Sequence, residues 1–387
     1  MMGTTDEQER LLRGPRRDLD RARRDPATWD DLAFRAEHAD DNRVIDRNRA
    51  ARFGVLWALQ YDRRPQDLPL LRFLLQDQAT FYREAVSMGL APDLTLAGFL
   101  VAEHRQVEDL WLHWTAKNIS FDTALGYHLY HLLTGGIAAT VEVVRASTHP
   151  ERDRILKEIT LSRHTDAAVE EWLEEQRRIF PADPAEETLK TWAYHAARLG
   201  ERKTSRLFMT EWAAGEPRTD ATLNTLQFHL AYLGYLKEAV AVQEEAVAIC
   251  QSPPESSLKA SKLLRLVKLE RQAGNFAGAR QSLEAAGQAL SAVPDWPWMG
   301  MWIAVVKEYF LLVPVAPDEH TSRLLLAEAD EQLRGVPQTW LNGVLDPAIT
   351  AAEHLNDTDK RNRYQSLQAA GRRQQEQQRS PGPAGAS

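Results

Sequence analysis

The stretch Leu233-Gly234-Tyr235-Leu236-Lys237-Glu238-Ala239 lies where one amphipathic helical pattern ends and another begins. Leu199-Gly200-Glu201 and Ala273-Gly274-Asn275-Phe276-Ala277-Gly278-Ala279 repeat the arrangement, with Gly200 and Gly234 34 residues apart and Gly274 40 further on. A period of that size marks stacked helical hairpins, since each unit must bury its apolar face against the next. The glycines suit the turns because they take the left-handed conformation that ends a helix at little steric cost.

Outward from these turns, helical periodicity dominates. β-branched residues sit inside patterns such as Ala239-Val240-Ala241-Val242-Gln243-Glu244-Glu245-Ala246-Val247 rather than in alternating runs, so the chain reads as all-α. Asp183-Pro184-Ala185-Glu186 and Ser252-Pro253-Pro254-Glu255 each place a capping side chain, a proline and then an acid, the chemistry of a helix start. Breakers put turns near Arg64-Pro65, His104, Gly136, Thr165, Gly200, Gly234, Gly274 and Pro317, which makes about eight antiparallel hairpins.

The formal net charge of -8 over 387 residues argues against a dedicated nucleic-acid binder, which carries a basic excess. Cys250 is the single cysteine, so neither an intrachain disulfide nor a cysteine zinc site is available, and a reducing compartment fits. The N-terminus lacks an apolar signal segment, and no run approaches the roughly 18 apolar residues of a membrane span. The expectation is a soluble cytoplasmic protein with no membrane partner and no cofactor.

Four segments are expected. Residues 1–25 are dense in both charge signs and read as a charged arm or solvated helix with little core contribution. Residues 26–180 form an N-terminal hairpin array, and 181–363 a second array ending in capping helices. Residues 364–387 turn Gln- and Arg-rich and finish in Pro, Gly, Ala and Ser, the composition of a disordered tail.

Residues 220–251 resemble a tetratricopeptide repeat: Leu223, Leu226 and Leu230 give the first helix its apolar spacing, Gly234 the turn, and Ala239 and Ala246 the small contacts of the second helix. Residues 260–287 are similar, with Leu263, Leu266, Gly274, Phe276, Ala279 and Ala286. Residues 186–212 match less well, since Ser205 and Trp212 stand where the family favours alanine. The resemblance implies a right-handed superhelix, an α-solenoid whose first helices line a concave groove that takes segments of other proteins.

On that geometry the groove carries Lys190, Tyr194 and Arg198, then Asn224, Phe228 and Tyr232, then Lys268, Arg271 and Gln272. Cations, aromatics and amides alternating along one surface suit a protein or peptide segment with carboxylates and an apolar anchor. The function this implies is a non-catalytic scaffold or adaptor; in a regulatory version, a bound peptide shifts the superhelix between open and closed forms.

The alternative is an all-α metal-dependent enzyme using His104, His128 and His131, the last two on one helical face. No HExxH, phosphate loop, nucleophile elbow or dinucleotide fingerprint supports catalysis. Cys250 reads as a buried thiol. Trp296, Trp298 and Trp302 read either as an exposed anchor or, preferably, as a packing knot, and Trp57, Trp111, Trp114, Trp172, Trp192 and Trp212 as inter-helix packing.

Overall fold

The computed structural model describes residues 2–38, 44–84, 89–161, 164–250, 256–291, 293, 300–336 and 340–379. Trp296, Trp298, the helix start at Pro253-Pro254-Glu255 and the tail from 380 to 387 lie outside the described residues. Two compact units divide the chain, 1–208 and 209–387.

Unit 1 opens with α1 (Met2–Arg24). Of the arm or helix expected from its composition it is the helix; its charges form one face, while Leu11, Leu12, Leu19 and Ala22 are buried on the other, a larger core contribution than expected. Arg23 donates to Asp67 at 2.7 and 2.9 Å, fastening the end of the helix. A small antiparallel pair follows, β1 (Ala36–His38) and β2 (Val44–Asp46), the only strands among the described residues. Asp46 ends β2 and forms an ion pair with Arg52 of α2 (Arg49–Tyr61), where Arg52 is only 1% exposed. Arg52 also donates to the Leu32 carbonyl at 3.0 Å and to Gln78 at 3.2 Å. Such bonds are what make a buried guanidinium tolerable.

The core of unit 1 is built by α2, α3 (Leu68–Glu84) and α4 (Pro92–Ala102), with Leu56, Leu59, Leu74, Leu75, Phe99 and Val101 among its buried residues. Then come α5 (Leu110–Lys117), α6 (Phe121–Gly126), α7 (Ile137–Ala146), α8 (Arg152–Leu161) and α9 (Asp166–Ile179). Breaks occur near His104, Gly136 and Thr165 as read from the sequence, and the Thr165 hydroxyl caps α9 by accepting from the Ala168 amide at 3.2 Å. Helices α5 to α8 run from 6 to 10 residues, with α5 packed on α6 and α7 on α8. α10 (Leu189–Arg198) and α11 (Arg202–Gly215) complete the order, with the unit boundary inside α11. Gln60 and Tyr61 donate to the buried Glu187 carboxylate at 2.8 and 3.2 Å, which pins the approach to α10 onto α2. Ser205, out of place for the resembled repeat, is buried and donates to the Ala193 carbonyl at 2.7 Å.

Unit 2 is a succession of helical pairs: α12 (Asp220–Tyr232) with α13 (Leu236–Ala248), α14 (Ser257–Gln272) with α15 (Phe276–Ser291), and α16 (Gly300–Leu312) with α17 (Glu319–Arg334). A last pair is α18 (Asn342–His354) with α19 (Thr358–Arg379). Each pair packs on the next, and α16 also meets α14 and α18, so the first helices of successive pairs lie side by side. Ala279, Ala286, Ala348 and Ala352 are fully buried between helices, where the absence of a large side chain lets backbones approach.

One turn device recurs. Gly200, Gly234 and Gly274 have φ of 80, 82 and 77°. The next amide in each case reaches back to a carbonyl five residues earlier: Glu201 to Ala196 at 2.8 Å, Tyr235 to Leu230 at 2.9 Å and Asn275 to Glu270 at 2.8 Å. This closes the free carbonyls of the helix end. A fourth copy, unread in the sequence, joins α18 to α19: Asn356 takes φ 55° and the Asp357 amide donates to Ala352 at 2.9 Å. Asparagine tolerates this conformation better than most residues.

The fourth turn moves the expected tail. Residues 364 to 379 continue α19, with Tyr364 fully buried against Phe310 and its hydroxyl donating to Asp330 at 2.7 Å. Trp302 is buried in the core of unit 2, as packing required, and Cys250 is half-buried rather than sealed. Among the described residues, no helix is long and apolar enough to cross a membrane.

Candidate peptide-binding groove

In unit 2 the first helices of the pairs contribute to one surface. Asn224, Phe228 and Tyr232 stand four residues apart on α12 and share a face. With Leu223, Leu226 and Leu230 buried behind them, the aromatics point outward, Phe228 56% and Tyr232 73% exposed. From α14, Arg265 donates to the Asn224 side-chain carbonyl at 2.8 Å, and its guanidinium lies 4.3 Å from the centre of the Phe228 ring. Asn224 is itself held by donating to Asp220 at 3.2 Å. Partial burial lowers the pKa of Arg265, whose lost hydration is made up by an amide and a ring face.

Next to this stack a hollow of about 330 Å³ opens between α12, α14 and α16. Ala231, Leu264, Leu269 and Ala304 wall it, and Phe228, Arg265, Lys268 and Gln272 rim it. Gln227 also lines it and is 1% exposed, with its Oε1 accepting no hydrogen bond among the described residues. A second hollow of about 720 Å³ continues across α14, α16 and α18, bordered by Lys268, Arg271, Lys307, Asp346 and Thr350. Lys268, Ala304 and Glu308 border both, so the two are neighbouring parts of one groove.

The residues read from the sequence therefore take different parts. Phe228, Lys268 and Gln272 line the first hollow; Lys268 and Arg271 line the second. Arg271 is paired with Glu308 at 2.9 Å and forms wall rather than an open cation. Asn224 acts through Arg265, and Tyr232 projects outside both hollows. Arg265, Lys307, Glu308, Asp346 and Thr350 were not singled out by sequence. Arg265 is three residues from Lys268 and shares its face, so helical spacing alone would have found it.

Lys190, Tyr194 and Arg198 lie on α10, within unit 1. Tyr194 is exposed and Lys190 half-buried. Arg198 faces its own unit: its guanidinium is 5.0 Å from the Phe53 ring centre and 3.9 Å from the buried Asp93 carboxylate. That corrects its reading as an open groove cation.

The histidines serve packing. His128 does not share an α-helical face with His131; it caps a 3₁₀ turn, Leu129–Leu132, and its Nδ1 accepts from the Tyr130 amide at 3.2 Å. His131 is buried, stacked on Tyr127 at 4.0 Å and edge-on to Trp172 at 4.6 Å. His113 is buried too, with Nδ1 2.7 Å from the Tyr127 hydroxyl, and burial pushes its pKa down to about 3. Tyr127 fits because Gly98 makes room: a Cβ there would come within 2.2 Å of the hydroxyl. His104 is half-buried beside Glu103, and burial lowers its pKa as well. Among the described residues, no three His, Cys, Asp or Glu side chains are grouped to hold a metal ion.

No family model matches the chain, and no curated protein matches it. Among solved structures, the crystal structure of BtubC (BKLC) from P. vanneervenii is similar at 16% identity, over 57% of this chain and 94% of that one, with a TM-score of 0.35. A likeness at that level carries no functional argument.

Proposed function

We propose that unit 2 is a tetratricopeptide-like binding module of the right-handed solenoid type, and that the groove over α12, α14, α16 and α18 holds an extended or helical segment of another protein. The observation that carries the reading is the juxtaposition of the two hollows with the Arg265–Phe228 stack. Apolar walls, the exposed Phe228 ring and cations that belong to no ion pair among the described residues are what a segment bearing an apolar anchor and an acidic residue needs. Binding rather than catalysis is the role, and the single cysteine favours a cytoplasmic setting.

The test is selection of peptides from a random dodecamer display library on the full chain, followed by affinity measurement with Phe228→Ala and Lys268→Glu. The reading expects enriched peptides to lose about tenfold or more in affinity with either variant at unchanged melting temperature. Enriched peptides indifferent to both substitutions would place binding elsewhere and sink it.

A further inference from the structure

Charge is distributed unevenly along the groove. On α14 and α16 the ion pairs among the described residues are Lys262 with Asp220 and Arg271 with Glu308. Arg265, Lys268 and Lys307 belong to neither, so that side carries three cations outside its ion pairs, and the carboxylate beside them, Glu308, is already paired with Arg271.

The opposite wall, on α18, has the other character. Gly343, Asp346 and Thr350 are exposed along one face and border the second hollow. Pro347 lies inside α18 between them. Having no N–H, it cannot donate to the carbonyl one turn back, that of Gly343, so a residue that borders the hollow keeps a main-chain acceptor without its usual helical donor. Asp346 receives the Gln368 amide at 2.6 Å, which orients its carboxylate and occupies one oxygen. Lys307 and Asp346 border the same hollow without forming an ion pair among the described residues. Each is left to an occupant.

We propose that the groove reads direction: the α14–α16 side takes an acidic side chain of the bound segment, and the α18 wall, through Asp346 and the Gly343 carbonyl, takes a Lys or Arg side chain. This rests on the groove's being a segment-binding site. A segment laid in the opposite sense sets a carboxylate against Asp346 and a cation against Arg265 and Lys268. Like charges then oppose it at both ends, which discriminates between orientations more strongly than it adds affinity.

The experiment uses the full chain and the dodecamer library, with selections on wild type, Asp346→Lys and the milder Asp346→Asn. Wild type should enrich peptides carrying an acid and a base on opposite sides of an apolar residue, always in one order. A synthetic enriched peptide should bind about fivefold tighter than its charge-exchanged counterpart, the scale of one exposed charge pair. Asp346→Asn should weaken the preference for the base and Asp346→Lys abolish it, both keeping the acidic preference. Equal binding of the two charge orders, or a base preference untouched by both variants, overturns the directional reading while groove binding stands. If enrichment survives Phe228→Ala and Lys268→Glu, the groove reading falls and the directional one with it.

Discussion

The guanidinium of Arg265 covers the ring of Phe228 at 4.3 Å, so the aromatic serves as a platform that aims a cation as well as an apolar surface. Phe228→Ala should leave Arg265 mobile and weaken an enriched acidic peptide about tenfold, while stability shifts by less than about 1 kcal/mol because the ring is largely exposed. Arg265→Lys should lose affinity similarly, since an ammonium cannot reproduce the planar stack. Fluorescence anisotropy with thermal melts checks both; unchanged affinity for Phe228→Ala refutes the platform.

Gly234 has φ 82°, a conformation that costs an alanine about 1 to 2 kcal/mol. Gly234→Ala should destabilise the protein by about that amount, with Gly234→Asn falling between alanine and wild type. Denaturant titration reads the difference. An alanine variant as stable as wild type would mean that this turn does not need the left-handed residue.

Burial holds His113 neutral, with its pKa pushed down to about 3 against about 6.5 in an unfolded chain. Between these values the unfolded state binds the proton and the folded state does not. Stability is therefore complete above about pH 6.5 and lost as pH falls toward 3, by about 2 kcal/mol at pH 5 from this residue. His113→Gln should flatten the decline between pH 7 and 5, whatever it costs at neutral pH. An identical slope in the two proteins would contradict the assignment.

Tyr364 donates to Asp330 from a fully buried position at the start of α19. Burial alone would raise the Asp330 pKa; the bonds from Tyr364, Arg363 and Lys360 outweigh it and bring the pKa below the ordinary carboxylate value. That stabilisation is present above about pH 4 and is lost as pH falls through the lowered value. Tyr364→Phe should cost about 1.5 to 3 kcal/mol and speed amide exchange along α19. Exchange confined to its former rate would show that α19 is held by other contacts.

The turns at Gly200, Gly234 and Gly274 were legible because the residue type and the conformation coincide. The faces of α12 and α14 followed from them by helical spacing. Beyond Pro317 that aid disappears: Asn356 makes the same turn without being a glycine, and Pro347 interrupts a helix that nevertheless continues. The groove residues of α16 and α18 were therefore missed. Residues 364–379 of α19 read as tail because their composition is polar, while what anchors the helix is a buried tyrosine, Tyr364, a leucine, Leu367, packed on the core, and polar contacts from Lys360, Arg363 and Gln368. In unit 1, Arg52 resembles any surface arginine until β2 brings Asp46 against it, a pairing that no local pattern announces.

The turns of unit 2 close within their own few residues, and its closely packed helices are one or two elements apart along the chain. Among its described residues no distant strands must be brought together, so the entropic cost of loop closure is divided into small instalments. Pulled from its two ends, unit 2 would peel away hairpin by hairpin in a staircase of small force steps, where a domain tied by remote contacts ruptures once.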